Sequence, residues 1–198
     1  MTSIADAIGF CLPGSSSIPA ADSGHIRMAS NCGKRIVEMV WEDLRPSNWL
    51  TKKHILNGVT VYLALGGSTN AAIHLIAMAN RAGIKLTLDE MSEVAKNIPV
   101  LANLFPSGSH LMDDFYFAGG LLALMNKIKK HLDLECTGIT GESWNEILKG
   151  KECYEDDVIR DLDNPVVPIS QGSTLTVLHG NLCPDGAVMK SSAANPKF

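Results

Sequence analysis

Two apolar runs that meet at one polar turn constrain this chain most. Val59-Thr60-Val61-Tyr62-Leu63-Ala64-Leu65 is β-branched and then apolar, and Ala71-Ala72-Ile73-His74-Leu75-Ile76-Ala77-Met78-Ala79 follows it across Gly66-Gly67-Ser68-Thr69-Asn70. The second run, closing near Gly83, predicts a helix whose polar face is so thin that it is buried on most sides. The first run suits a buried strand or a buried helix, and periodicity does not separate the two. Neither reaches the ~18 residues that a membrane helix needs, so no membrane association is expected and the chain must cover these runs itself. Its composition permits that: 45% of its 198 residues are hydrophobic and 19% are charged, unlike a disordered segment. This length suffices for one domain, or for one domain and part of a second.

Elsewhere the pattern is mostly helical. Ile4, Ala5 and Ile8 have helical spacing before a break at Leu12-Pro13-Gly14. So short a helix is marginal alone and reads as the last turns of a longer one. Across residues 22–44, Ile26, Ala29, Gly33, Ile36, Val37, Val40 and Trp41 share one face, with Asp22 or Ser23 as cap. A short helix is expected after Thr51. Residues 87–96 form a surface helix opened by a Thr87–Glu90 capping box. Residues 113–131 read as one helix, acidic at its start and basic at its end, as the macrodipole favours. Gly119-Gly120 inside it costs about 1 kcal/mol per residue relative to Ala, offset by close packing against another backbone. Residues 143–148 make one more short helix. Beyond Asp133 the composition shifts, and residues 173–178 and 186–189 read as strands joined by a turn over 181–186. We place a domain boundary near Pro165. Residues 1–164 form the helix-rich part of a first domain, and residues 165–198 begin a β-rich second domain that two strands cannot complete.

Charge and cysteine usage exclude several functions. Seventeen Lys and Arg against 21 Asp and Glu give a net charge of -4, and without a basic run the chain is no nucleic-acid binder. The N-terminal residues lack the basic segment of a signal peptide. Cys11, Cys32, Cys136, Cys153 and Cys183 are widely and irregularly spaced, with no CxxC. We expect free thiols in a reducing cytosol, and local spacing offers no support for metal or cluster ligation.

The turn Gly66-Gly67-Ser68-Thr69-Asn70 carries the most chemistry. Its glycines let a backbone approach a ligand, the following helix start attracts anions, and three short polar side chains add hydrogen bonds. Gly67, Ser68, Thr69 and Asn70 are therefore the candidate substrate-binding residues, for a carboxylate or hydroxyls. The same residues also suit a plain helix cap. Asp113 and Asp114 suit a divalent cation but read better as ordinary helix-start charges. His110 invites a general-base role and otherwise reads as solvated surface. His74 is expected to be a core histidine. The stretch Asn181-Leu182-Cys183-Pro184-Asp185-Gly186 is a structural turn, in which Cys183 has only Lys190 as a nearby cation.

Leu65-Gly66-Gly67-Ser68-Thr69-Asn70-Ala71 with His74-Leu75 resembles the signature of the dihydroxy-acid dehydratase/6-phosphogluconate dehydratase family. Cys11-Leu12-Pro13-Gly14-Ser15, Pro106-Ser107-Gly108 with Met112-Asp113-Asp114, Ala118-Gly119-Gly120, and Gly180-Asn181-Leu182 with Pro184-Asp185-Gly186-Ala187 follow in the family's order. The likeness spans nearly the whole chain. Glu38-Met39-Val40-Trp41-Glu42-Asp43-Leu44, Asp114-Phe115-Tyr116-Phe117, Glu152-Cys153-Tyr154 and Ile159-Arg160-Asp161-Leu162-Asp163-Asn164-Pro165 are similar to the sugar-acid, arabonate-type members.

The resemblance implies an α/β fold: part of a layered α/β N-terminal domain, then the first strands of a barrel-like C-terminal domain. It implies a cytoplasmic, homo-oligomeric enzyme that removes water from a 2,3-dihydroxy carboxylic acid, such as arabonate, to give a 2-keto-3-deoxy acid. In such enzymes an iron–sulfur cluster acts as Lewis acid on the leaving hydroxyl, magnesium binds the carboxylate and 2-hydroxyl, and a serine takes the C2 proton. The cluster cysteines and a carbamylated lysine that partly holds the magnesium precede Met1 in the family's order, and the serine and a magnesium-binding glutamate follow Phe198. The chain is thus expected to be a central fragment with no cluster, no metal ligand and no catalytic residue of its own. The alternatives are the branched-chain dihydroxy-acid dehydratase and a non-catalytic truncated paralogue acting as an interaction protein.

Overall fold

A computed structural model describes residues 1–171 and 174–191. Helices α1 (Thr2–Ile8), α2 (Ser23–Trp41), α3 (Pro46–Trp49), α4 (Lys52–Ala64), α5 (Thr69–Arg81), α6 (Leu88–Ala95), α7 (Met112–Phe117), α8 (Gly120–Lys127) and α9 (Trp144–Ile147) are followed by strands β1 (Thr176–Leu178) and β2 (Ala187–Met189). No helix among the described residues is long and apolar enough to cross a membrane.

The first apolar run is a helix, the C-terminal half of α4, and it is the centre of the core. Ile55, Val59, Val61, Tyr62, Leu63 and Ala64 are all buried. Three β-branched residues in succession weakly disfavour helix, and packing on every side overrides that preference. The helix starts at Thr51, whose backbone N–H donates to His54 Nδ1 at 3.2 Å. That bond leaves the His54 proton on Nε2, which donates to Thr137 O at 2.9 Å. Helix α1 lies tightly on α4, because a Cβ on Gly58 would sit 2.7 Å from Ile8 Cγ1. The helix expected after Thr51 and the run at 59–65 are therefore one element.

Three expectations are corrected. Helix α5 buries a single stripe, Ala71, Ala72, Leu75 and Ala79, while Ile73 is 69% exposed. One stripe suffices because α5 meets the core on its α4 side only. His74 is exposed, off that stripe, and so is not a core histidine. The long helix over 113–131 is broken into α7 and α8, followed by a 3-10 turn at Lys129–His131. Gly119 and Gly120 have φ of 111° and 62°, in the left-handed region that stops a right-handed helix. The close packing expected of this glycine pair is present. A Cβ on Gly119 would lie 2.6 Å from Glu152 O, and one on Gly120 would lie 2.9 Å from Ser17 Cβ.

Helix α2 has its predicted cap, with Gly24 N–H donating to Asp22 Oδ1 at 2.6 Å, and ends at Trp41, three residues short of the expected 22–44 stretch. Its apolar stripe faces outward: Ile26, Ile36, Val37, Val40 and Trp41 are exposed, Trp41 at 85%. Arg35 ties the helix to the body, donating from Nε to Ile139 O at 2.5 Å. Beside that tie, Gly9 and Gly138 meet backbone to backbone. A Cβ on Gly9 would lie 2.8 Å from Gly138 Cα, and one on Gly138 would lie 2.6 Å from Gly9 O. Ile139 N–H donates to Gly9 O at 3.0 Å.

The two strands are antiparallel, pairing Thr176 with Met189, Val177 with Val188 and Leu178 with Ala187. Ser173, the expected start of the first strand, lies outside the described residues. The hairpin joins the helical body through Thr174 Oγ1, which donates to Leu63 O at 2.8 Å, and through buried Leu175.

Candidate functional site

The polar turn between α4 and α5 forms one wall of a cleft. After α4 ends, Gly67 N–H donates back to Tyr62 O at 3.0 Å. The chain here lies on the Tyr62 ring: a Cβ on Gly67 would sit 2.4 Å from Tyr62 Cδ2. Glycine is required by that approach. Ser68 then caps α5, its Oγ accepting from Asn70 N–H at 3.3 Å. The amides of Ser68 and Thr69 have no acceptor among the described residues, as is usual for the first residues of a helix.

Gly66, Gly67, Ser68 and Thr69 border a cleft of about 640 Å³, with Phe105, Pro106 and Ser107 opposite. Asn70, with Thr69, borders a neighbouring hollow of about 470 Å³ against Leu88 and Val188. The structure thus brings three of the four expected residues to the cleft and places Asn70 beside it. A hollow of about 670 Å³ between Phe10, Leu50 and Met78 is as large, but Arg81 is its one charged side chain and no set of polar groups converges there.

The Pro106 wall is built by Asn103, which sequence reasoning did not single out. Its Oδ1 accepts from Ser109 N–H at 3.1 Å, its Nδ2 donates to Asp157 O at 3.1 Å, and its carbonyl accepts from His110 N–H at 3.0 Å. His110 points away from the cleft, with Nε2 2.9 Å from Asp157 and Nδ1 3.8 Å from Asp114. That hydrogen bond, with nearby Arg160, holds the Asp157 carboxyl below the usual carboxylate range. Asp114 Oδ2 accepts from Leu111 N–H at 2.8 Å and so caps α7, the ordinary helix-start role read from the sequence.

Lys190, one residue past β2, was also missed as a site residue. It lines the cleft, and its Nζ donates to Gly66 O at 2.7 Å. Only long-range folding brings it there, so no local pattern marks it. Buried Asp6 was missed too. It accepts from Ser16 N–H at 3.1 Å and Gly14 N–H at 3.4 Å, bracing the Leu12-Pro13-Gly14 loop. Burial pushes its carboxyl up to about 6 despite those bonds.

All five cysteines are free. Burial pushes the Cys11 and Cys136 thiols up to about 11 and also raises Cys153, which disfavours their nucleophilic thiolate forms. Among the described residues no group of three or more His, Cys, Asp or Glu is placed to hold a metal ion. The described residues do not by themselves fit an iron–sulfur cluster or a magnesium site.

Residues 1–147 match the N-terminal region of the dihydroxy-acid/6-phosphogluconate dehydratase family and residues 157–198 match its C-terminal region; the chain belongs to that family. Over all 198 residues it is 68% identical to 6-deoxy-6-sulfo-D-gluconate dehydratase of Pseudomonas putida, covering 34% of that protein. It is 43% identical to a dihydroxy-acid dehydratase of Caldicellulosiruptor saccharolyticus, covering all of this chain and 36% of that protein. It is 40% identical to L-arabinonate dehydratase of Rhizobium leguminosarum bv. trifolii, over 97% of this chain and 33% of that protein. The chain thus spans about a third of the length of these relatives.

Proposed function

We propose that the protein carrying this chain is a hydro-lyase acting on an aldonic sugar acid. It removes the C2 hydrogen and the C3 hydroxyl of a 2,3-dihydroxy acid as water, leaving an enol that becomes the 2-keto-3-deoxy acid. The observation that carries this reading is the 68% identity to a sulfogluconate dehydratase, against 43% to a branched-chain-type dihydroxy-acid dehydratase. 6-Deoxy-6-sulfo-D-gluconate is accordingly the first substrate to test, with arabonate second.

In this reading Gly67, Ser68 and Thr69 hold substrate carboxylate or hydroxyls at the α5 start, and Asn70 supports them from the adjacent hollow. The domain boundary lies near Pro165, and the hairpin opens a barrel-like domain. In this reading the enzyme is cytoplasmic and homo-oligomeric and depends on an iron–sulfur cluster, which would supply Lewis acidity at the leaving hydroxyl, and on Mg²⁺, which would hold the carboxylate and 2-hydroxyl. This reading takes their ligands from outside this chain, in keeping with the lack of any converging group of His, Cys, Asp and Glu among the described residues.

The test is formation of 2-keto acid by the full-length, anaerobically prepared protein. Sugar acids should be turned over in preference to branched-chain dihydroxy acids; the reverse order would assign the branched-chain reaction, and no turnover of either would overturn the reading. In the same protein, Asn70→Ala should cost about 1–3 kcal/mol of transition-state stabilisation if its side chain reaches substrate. Unchanged kinetics with a lowered melting temperature would remove Asn70 from the site.

A further inference from the structure

Three described lysines are not fully exposed: Lys52, Lys127 and Lys190. Two of them are neutralised within the chain. Lys52 Nζ lies 2.8 Å from Glu90, and Lys127 Nζ lies 2.6 Å from Asp156 and 3.0 Å from Asp161. Lys190 has no carboxylate partner among the described residues; its ammonium donates to the neutral carbonyl of Gly66. Burial alone lowers its pKa, with no opposing acid. An ammonium has three donors, and a half-buried one without an anion is an unbalanced charge. It stands in a cleft with no acidic side chain among its lining residues. The start of α5, a 13-residue helix, opens onto the same cleft and adds positive potential.

We infer that Lys190 is a binding residue for an oxyanion at one end of a polyol acid, held between its ammonium and the Ser68–Thr69 start of α5. This rests on the dehydratase reading and adds to it the group that orients the substrate. The bond to Gly66 O fixes the ammonium against the turn, so one strand-end lysine and one helix start address the same ligand. Carboxylate and sulfonate share the required chemistry, and either end of a sulfonated sugar acid supplies it.

The test is equilibrium binding to the full-length protein of D-gluconate, which offers a carboxylate, of 6-deoxy-6-sulfo-D-glucitol, which offers a sulfonate, and of neutral D-glucitol. One or both anions should bind about tenfold tighter than glucitol, as a charge-assisted bond predicts, and the preferred anion identifies the source. Lys190→Met should abolish the preference and Lys190→Arg should restore most of it. Equal binding of all three polyols, or a preference that survives in Lys190→Met, would overturn the inference. If Lys190→Met does not fold, acylation of Lys190 in the unmutated protein decides. Protection by an anion and not by glucitol supports the site, and equal labelling rejects it. Failure of the dehydratase reading would show separately, as absent turnover with the Lys190-dependent preference intact.

Discussion

Helices α2 and α4 carry their apolar residues in opposite ways, and the burial is the reverse of what pattern suggests. Along α2 the apolar positions fall three and four apart and form a clean stripe, yet that stripe faces outward, with Val40 at 72% exposure. Along α4 they are spread around the axis, and the helix lies under α1, α5 and α6 with nearly every side chain covered. A stripe reports that one face demands cover; it does not say that the same stretch of chain supplies it. An all-round apolar helix leaves no such freedom, because only the centre of a core can satisfy it.

The sharpest way to break this contrast is to shorten one side chain on each helix. Leu63→Ala should lower unfolding free energy by about 2–5 kcal/mol, whereas Val40→Ala should change it by no more than about 0.5 kcal/mol. Urea denaturation of the two variants measures both, and equal losses would mean that α2 is packed in solution.

A second test uses Asp6, the buried acid that ties α1 to the loop at Gly14 and Ser16. Its folded pKa is about 6, raised from the unfolded 3.8. The folded state therefore holds the proton between those values, and stability falls as pH rises from about 4 through about 6. The loss should be on the order of 3 kcal/mol, and Asp6→Asn should remove that part of the pH dependence. A variant with the same pH profile as the unmutated chain would place Asp6 in water.

The third concerns the outward stripe itself. The 198-residue chain should self-associate through α2, and Val40→Glu should weaken that association by about tenfold, read by sedimentation across a concentration series. Monomer at all concentrations would separate exposure from stickiness. The smallest expected effect is inside the core. Tyr62 is fully buried and its hydroxyl has no hydrogen-bond partner among the described residues. Tyr62→Phe should therefore leave stability unchanged or raise it by about 1 kcal/mol, and a clear loss would reveal a partner for that hydroxyl.

The parts legible in sequence were those decided locally. The Thr87–Glu90 capping box, the Asp22 cap and the 181–186 turn need only neighbouring residues, and each stands where its pattern put it. The Gly119-Gly120 step was half legible. Its need for close packing could be read, but helix propensity assigns glycine a cost and not a handedness, so the break was not. The side of α5 that is buried, and hence the place of His74, depends on what lies against it. In the cleft, Gly67, Ser68 and Thr69 announced themselves as a turn, while Lys190 arrives through Gly66 O from far along the chain. A lone lysine has no local signature until folding leaves it without a counter-charge.

The Gly9–Gly138 contact sets a limit on how this chain can vary. Each position is closed by the other's main chain, not by a side chain that a second substitution could trim. A methyl group at either point has no compensating change available at its partner, since glycine is already the smallest residue. The two sites therefore behave as a joint veto. In a library of random variants, an early loop and a late one would be silenced together, with no rescuing pair to connect them.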